Sequence, residues 1–472
     1  MSQSLLSRNR LACCLLATSI LFPWSDGFAQ RLPSAADATP SPLVQASNDA
    51  QKLYAQAKID LVQIRVLTRG SNSRSSVGSG FIIGEGPYIV TNYHVISRLA
   101  LEPNSYDGQY ISTDKREGSI QLIAIDVARD LAIVKADISG SNFFNREKIA
   151  SITQLQQGEK LFSLGNPLDL GFSITEGNYN GISNRGFFST LMYTGAVNSG
   201  MSGGPTINSQ GLLAGVNVAA RRDGELVSFL VPAEYVAQLL DEVQKNPTPP
   251  EDFRPVIASQ LVDYQEVLTQ KVLEAPFNQR KLGDFVAPVR DSEQMRCWGG
   301  SNTTHKSINS TSVRCNMESR VFVSNDIQIG YIDLQHQLIN NKNLNGLKFA
   351  KVREKLFDNR VFSNAKDSNI TAATCNEDFV DLQGIPARAL LCTEAYHNFP
   401  GIYDMTFDAI TLDTHDTTLL SSMQLFGVSY ENGMKFAQEF MTSIARAKRE
   451  ESIQEQDETE AQSKPTEKEE QQ

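Results

Sequence analysis

Three residue types that together can run a nucleophilic relay occur at His94, Asp130 and Ser202. His94 stands in Thr91-Asn92-Tyr93-His94-Val95, directly after an apolar run. Asp130 opens Asp130-Leu131-Ala132-Ile133-Val134-Lys135, and Ser202 lies in Asn198-Ser199-Gly200-Met201-Ser202-Gly203-Gly204-Pro205. A serine hydroxyl is a weak nucleophile until an imidazole takes its proton. The imidazole in turn needs a carboxylate to hold its tautomer and to stabilise the imidazolium. His94 is the only histidine between residues 30 and 250, so the base has one candidate. Glycines on both sides of Ser202 free the backbone to turn the N–H groups of Gly200 and Ser202 toward one developing oxyanion. The predicted chemistry is attack on an amide carbonyl, and it requires no metal or organic cofactor.

The order His, Asp, Ser along the chain is that of the chymotrypsin-like scaffold; subtilisins and α/β-hydrolases use other orders. Four segments strengthen the likeness. They are Ser79-Gly80-Phe81-Ile82-Ile83 leading into Thr91 to Val95, the Asp130 segment, Leu164-Gly165-Asn166-Pro167 with Ile174-Thr175-Glu176-Gly177, and the Ser202 segment. Through them residues 59–240 resemble the trypsin-like (chymotrypsin-fold) serine proteases, most closely the bacterial HtrA/DegP branch. Two positions depart from that pattern: Met201 stands where the family usually has Asp or Asn, and Ser199 precedes the oxyanion glycine. The resemblance implies that Ser202 attacks, His94 acts as base and then acid, and Asp130 orients His94. It further implies that the strand Asn217, Val218, Ala219, Ala220 pairs with the substrate backbone, and that Ala196 lies at the base of the primary specificity pocket.

To position such a site the chain needs rigid elements. Short apolar stretches at 61–67, 79–83, 88–91, 119–125, 131–135, 160–164, 173–182, 188–194, 212–219 and 226–231 are punctuated by Gly, Asn, Asp and Ser. That pattern predicts an all-β sandwich or barrel; with the resemblance, an all-β double β-barrel over 58–245. Residues 233–245 carry apolar side chains at Tyr235, Val236, Leu239, Leu240 and Val243, the spacing of a closing amphipathic helix.

The remaining organisation is read from composition. Residues 1–29, with Arg8 and Arg10 before an apolar stretch and a small-x-small site at Gly27-Phe28-Ala29, predict a cleaved signal peptide and an exported protein. A lead follows at 30–57, with a short helix expected near 48–58. Asn246-Pro247-Thr248-Pro249-Pro250 opens a linker at 246–255. Residues 256–449 are expected to form an α+β C-terminal domain, with helices near 259–273 and 431–448 and with no glycine-hydrophobic carboxylate-binding loop of the PDZ kind. Removing the signal leaves Cys297, Cys315, Cys375 and Cys392, which in an exported chain predict two disulfides; nearest-neighbour pairing is expected. Residues 450–472 read as a solvated acidic tail. A net charge of −11 argues against nucleic acid as a partner; polypeptide substrates are what the resemblance implies. The alternative reading is a catalytically inactive protease-like scaffold acting as a binding protein.

Overall fold

Apolar side chains line both faces of several strands, because each strand is covered on two sides. In the computed structural model, which describes residues 47–220, 227–358 and 369–447, helix α1 (Asn48–Ala57) leads into six strands. These are β1 (Leu61–Thr68), β2 (Arg74–Ile83), β3 (Tyr88–Thr91), β4 (Tyr106–Ser112), β5 (Glu117–Asp126) and β6 (Leu131–Ala136), closed as a barrel in the order β1-β2-β3-β6-β5-β4. Val62, Ile64, Ile82, Ile89 and Val134 belong to one apolar cluster, whereas Leu61, Phe81, Val90 and Ile133, one residue out of phase, belong to another. Since successive strand side chains point to opposite faces, two buried faces turn alternation into continuous apolar runs.

A second six-stranded barrel follows: β7 (Lys160–Gly165), β8 (Ser173–Ser183), β9 (Thr190–Tyr193), β10 (Pro205–Asn208), β11 (Leu213–Ala220) and β12 (Ser228–Pro232), in the order β10-β11-β12-β9-β8-β7. Its own cluster includes Leu161, Tyr193, Met201 and Leu230. Between β3 and β4 lies α2 (Tyr93–Leu101), a helix that the sequence pattern did not announce. After β12 comes α3 (Ala233–Lys245), which buries Val236, Leu239, Leu240 and Val243 in the cluster it shares with β1, β2 and β3.

The rest of the chain is α+β. Helix α4 (Arg254–Val272) starts earlier than expected, with a proline in its first turn, where a missing N–H costs nothing. A seven-stranded antiparallel sheet runs in the order Met295–Asn302, Ile308–Met317, Tyr331–Asn341, Thr417–Val428, Tyr403–Thr411, Pro386–Ala395, Thr374–Asp381. Tyr264 of α4 and Phe436 and Phe440 of a later helix join Leu419, Met423 and Leu425 on one face. Phe349 and Phe357 of α5 (Gly346–Asp358) join Ile339, Ile410 and Leu420 on the other. That later helix, α6 (Tyr430–Thr442), ends before the 448 expected, and Ala445–Arg446 instead pairs with Phe285–Val289. Disulfides Cys297–Cys315 and Cys375–Cys392 tie each edge strand of the sheet to its inner neighbour, in the nearest-neighbour arrangement. The signal segment, residues 30–46 of the lead and the acidic tail lie outside the described residues.

Candidate active site

Asp130 closes the tight turn between β5 and β6 with φ 56°, in the left-handed region where aspartate is better tolerated than most side chains. That turn aims its carboxylate at the start of α2. One oxygen accepts the backbone N–H of His94 at 2.8 Å, and the other lies 2.6 Å from His94 Nδ1. The Asn92 side chain donates to the Asp130 carbonyl at 2.7 Å, locking the turn to the helix entry. Asn92 makes no capping bond of its own, so the carboxylate of Asp130 takes that role at the positive end of α2. Burial pulls the pKa of His94 down, but the charge and hydrogen bond of Asp130 prevail, and the net shift is upward.

Ser202 comes from the other barrel. Its neighbour Gly203 has φ 85° and lies so close to the β3–α2 corner that a Cβ there would meet Thr91 Oγ1 at 2.4 Å and Asn92 N at 3.0 Å. The carbonyl of Ser202 accepts the Ser79 N–H at 2.8 Å. The loop carrying Ser202 is thereby pressed onto the segment that carries His94. The hydroxyl, however, points elsewhere: Ser202 Oγ donates to the Val218 carbonyl at 3.0 Å, and among the described residues no hydrogen bond joins it to His94.

Gly200 has φ 92°, and a Cβ on it would meet the Asn166 carbonyl at 2.5 Å, so both space and backbone conformation demand glycine. Ser79 Oγ donates to the Gly200 carbonyl at 2.6 Å and accepts the Asn166 N–H at 2.9 Å. With its carbonyl held, the Gly200 peptide has a set orientation. Among the described residues neither the Gly200 N–H nor the Ser202 N–H has a protein acceptor. Two free backbone donors flank Met201, which is fully buried against the second barrel's interior. Met201 thus holds the turn by packing, and the other departure, Ser199, contributes its carbonyl to Leu168 N at 2.8 Å.

Residues 78–216 match the family model described as a trypsin-like peptidase domain. The chain carries a trypsin-like peptidase domain, similar to the HtrA/DegP serine proteases. A probable periplasmic serine endoprotease, DegP-like, of Rhizobium meliloti (strain 1021) is 33% identical over 184 residues, which are 36% of this chain and 34% of that protein. Its counterpart in Hahella chejuensis (strain KCTC 2396) is 28% identical over 184 residues, 37% of each. Serine protease Do-like HtrB of Bacillus subtilis (strain 168) is 27% identical over 325 residues, 62% of this chain and 68% of that one. The chain therefore spans little more than a third of the length of the DegP-like relatives.

Within the peptidase domain, Asn217 does not offer the free edge expected of it. Its N–H donates to Gly204 O and its carbonyl accepts Gly203 N–H, both at 2.9 Å, while its other edge faces Leu230 of β12. Its side chain is buried and bonded to Ser163, Thr206, Leu164 O and Met201 O. Asn217 pins the nucleophile loop to β7 and β11, and its N–H, already bonded to Gly204 O, is not available as a donor to a substrate. Register breaks between Asn217 and Ala219, turning Val218 out of the ladder, and among the described residues Ala219 and Ala220 pair with β12. Ala196 is half-buried, with its carbonyl held by Thr175 Oγ1 at 3.1 Å. Three contributors escaped the sequence reading: Asn92, Ser79 and, from the C-terminal region, Phe322, whose ring stands edge-on to the His94 imidazole at 6.0 Å. Ser79 sat inside a quoted motif, yet nothing in its spacing signalled a bridge between barrels.

Proposed function

We propose that this protein is an exported serine endopeptidase that hydrolyses peptide bonds of unfolded or extended polypeptides. Ser202 attacks the scissile carbonyl, His94 takes its proton and returns it to the leaving amine, and Asp130 holds the imidazole and steadies its charge. The N–H groups of Gly200 and Ser202 receive the oxyanion, each donor supplying about 3 kcal/mol in sites of this kind. The observation that carries the reading is the His94–Asp130 pair, with Nδ1 2.6 Å from the carboxylate and the Ser202 loop packed beside it from the second barrel. Among the described residues the edge at Val218 to Ala220 away from β12 is unpaired, which suits an extended backbone added as a strand, and Ala196 at the pocket base favours small or medium aliphatic residues before the scissile bond. Export rests on the signal-like segment and on the periplasmic naming of the DegP-like relatives.

One observation favours the inactive scaffold instead: the Ser202 hydroxyl is bonded to Val218 rather than to His94. Catalytic hydrogen bonds often form only when substrate is bound, so a hydroxyl bonded elsewhere is compatible with the relay. A fluorophosphonate probe decides between them. Labelling of wild type that is absent in Ser202→Ala, with turnover falling about 10⁴- to 10⁶-fold, supports the endopeptidase; a folded wild type that never labels leaves the scaffold.

A further inference from the structure

A cavity of about 700 Å³ opens beside the candidate active site, with Asp130 and Val218 both on its wall. Its size is that of a ligand pocket and far exceeds a packing defect. One side belongs to the peptidase domain and includes Phe187, Phe188 and Tyr235. The other belongs to the C-terminal domain and includes Tyr264, Met317 and Val321. We propose that this cavity is a substrate subsite, shared by the two domains, that receives an apolar side chain N-terminal to the scissile bond. The inference rests on the endopeptidase reading and adds to the Ala196 pocket a second selective contact further from the scissile bond.

The position follows from strand geometry. A substrate backbone pairing antiparallel with the free edge of β11 has its scissile bond near Ser202 and Val218, and runs toward its own N-terminus as β11 runs toward Ala220. Phe229, opposite Ala219 in β12, lines the same cavity as Val218. A side chain leaving that substrate strand toward the C-terminal domain therefore meets the cavity.

The apolar preference follows from how the wall's charges are already used. Arg129 lies 2.7 Å from Asp126, and its guanidinium sits 4.4 Å from the Phe188 ring centre and 4.5 Å from that of Tyr235. Arg185 pairs with Glu318 at 2.7 Å, across the two domains. Arg320 stacks over Tyr331 at 4.2 Å. With Asp130 committed to His94 and these arginines paired or stacked, a guest meets mainly aromatic and aliphatic surface together with neutral polar groups such as Ser183, Thr190, Asn316 and Ser319.

The C-terminal wall is held in register with the peptidase domain by specific bonds. Tyr93 donates its hydroxyl to the Val323 carbonyl at 2.9 Å, one residue from His94. Gln260 of α4 accepts the Val127 N–H and donates to the Ile125 carbonyl, both at 2.8 Å, just before the Asp130 turn. Gln294 donates to the Asn184 carbonyl at 3.1 Å. Phe187 and Phe188 both pack on Tyr264, with ring centres 5.7 and 6.0 Å apart. A wall tied down at both ends of the cavity can select by shape.

The test uses the full-length chain and cleavage-site profiling on a denatured protein mixture. Ser319→Trp fills the cavity from the C-terminal side; Gln328→Trp does so from an exposed position that tolerates a large side chain. Wild type is expected to favour Leu or Phe over Asp by about 10-fold or more at one position N-terminal to the residue that the Ala196 pocket would hold, the range that apolar pockets achieve. Both variants should lose most of that preference. A wild type that cleaves without such a preference, or a folded variant with the wild-type profile, overturns the shared subsite and leaves the endopeptidase reading standing. A wild type that neither cleaves nor labels with fluorophosphonate overturns both.

Discussion

Ser202 and Val218 are joined by a 3.0 Å hydrogen bond from the serine hydroxyl to the strand carbonyl. The candidate nucleophile is thus tethered to the same edge that an extended substrate would use. A substrate N–H arriving at the Val218 carbonyl competes for that acceptor, and the released hydroxyl can swing to His94.

The oxyanion site gives the most local prediction. Gly200→Ala places a methyl 2.5 Å from the Asn166 carbonyl at φ 92° and must displace the Gly200 N–H. Loss of one such donor lowers kcat about 10²- to 10³-fold. KM should change much less, and steady-state kinetics on a peptide ester will separate the two.

In the proposed mechanism the pH profile depends on His94. Only its neutral form accepts the serine proton, so activity is absent below its pKa and appears as pH rises through it. Because the net shift is upward, the midpoint of the rising limb should lie above the ordinary histidine value of about 6.5. Asp130→Asn removes the charge that raises it, so the limb should move to lower pH while kcat falls about 10⁴-fold. A limb that stays in place in the asparagine variant would show that Asp130 does not set the titration.

Phe322 packs edge-to-face with the imidazole, ring centres 6.0 Å apart, from across the domain boundary. Burial lowers a histidine pKa, so Phe322→Ala should let water in and move the limb upward. A merely structural contribution would lower the melting temperature and leave the limb where it is. Measuring both on one preparation distinguishes these outcomes.

The two disulfides close segments with sequence separations of 18 and 17. Replacing either pair by serine should destabilise the seven-stranded sheet by about 3 kcal/mol, read as a lower urea midpoint. Peptide mapping without reductant should recover Cys297 linked to Cys315 and Cys375 linked to Cys392; four free thiols in exported material would refute the pairing.

The sequence by itself determined the identity and order of His94, Asp130 and Ser202, the glycine needed at Gly200, the β character of residues 61–231 and the amphipathic α3. Each of these signals is local: a residue type in a short motif, or a spacing repeated over neighbours. Tertiary structure alone decided that Asp130 reaches the N-terminus of α2 as well as the His94 ring. It also decided that Asn217 is an internal pin and that Ser202 turns toward Val218. Those outcomes depend on how two barrels pack, and strands buried on both faces carry no alternation to announce which face meets the other barrel. The contact of Tyr93 with Val323 spans 230 residues of chain. No local pattern encodes a contact of that separation, because its geometry exists only once both domains have folded against each other.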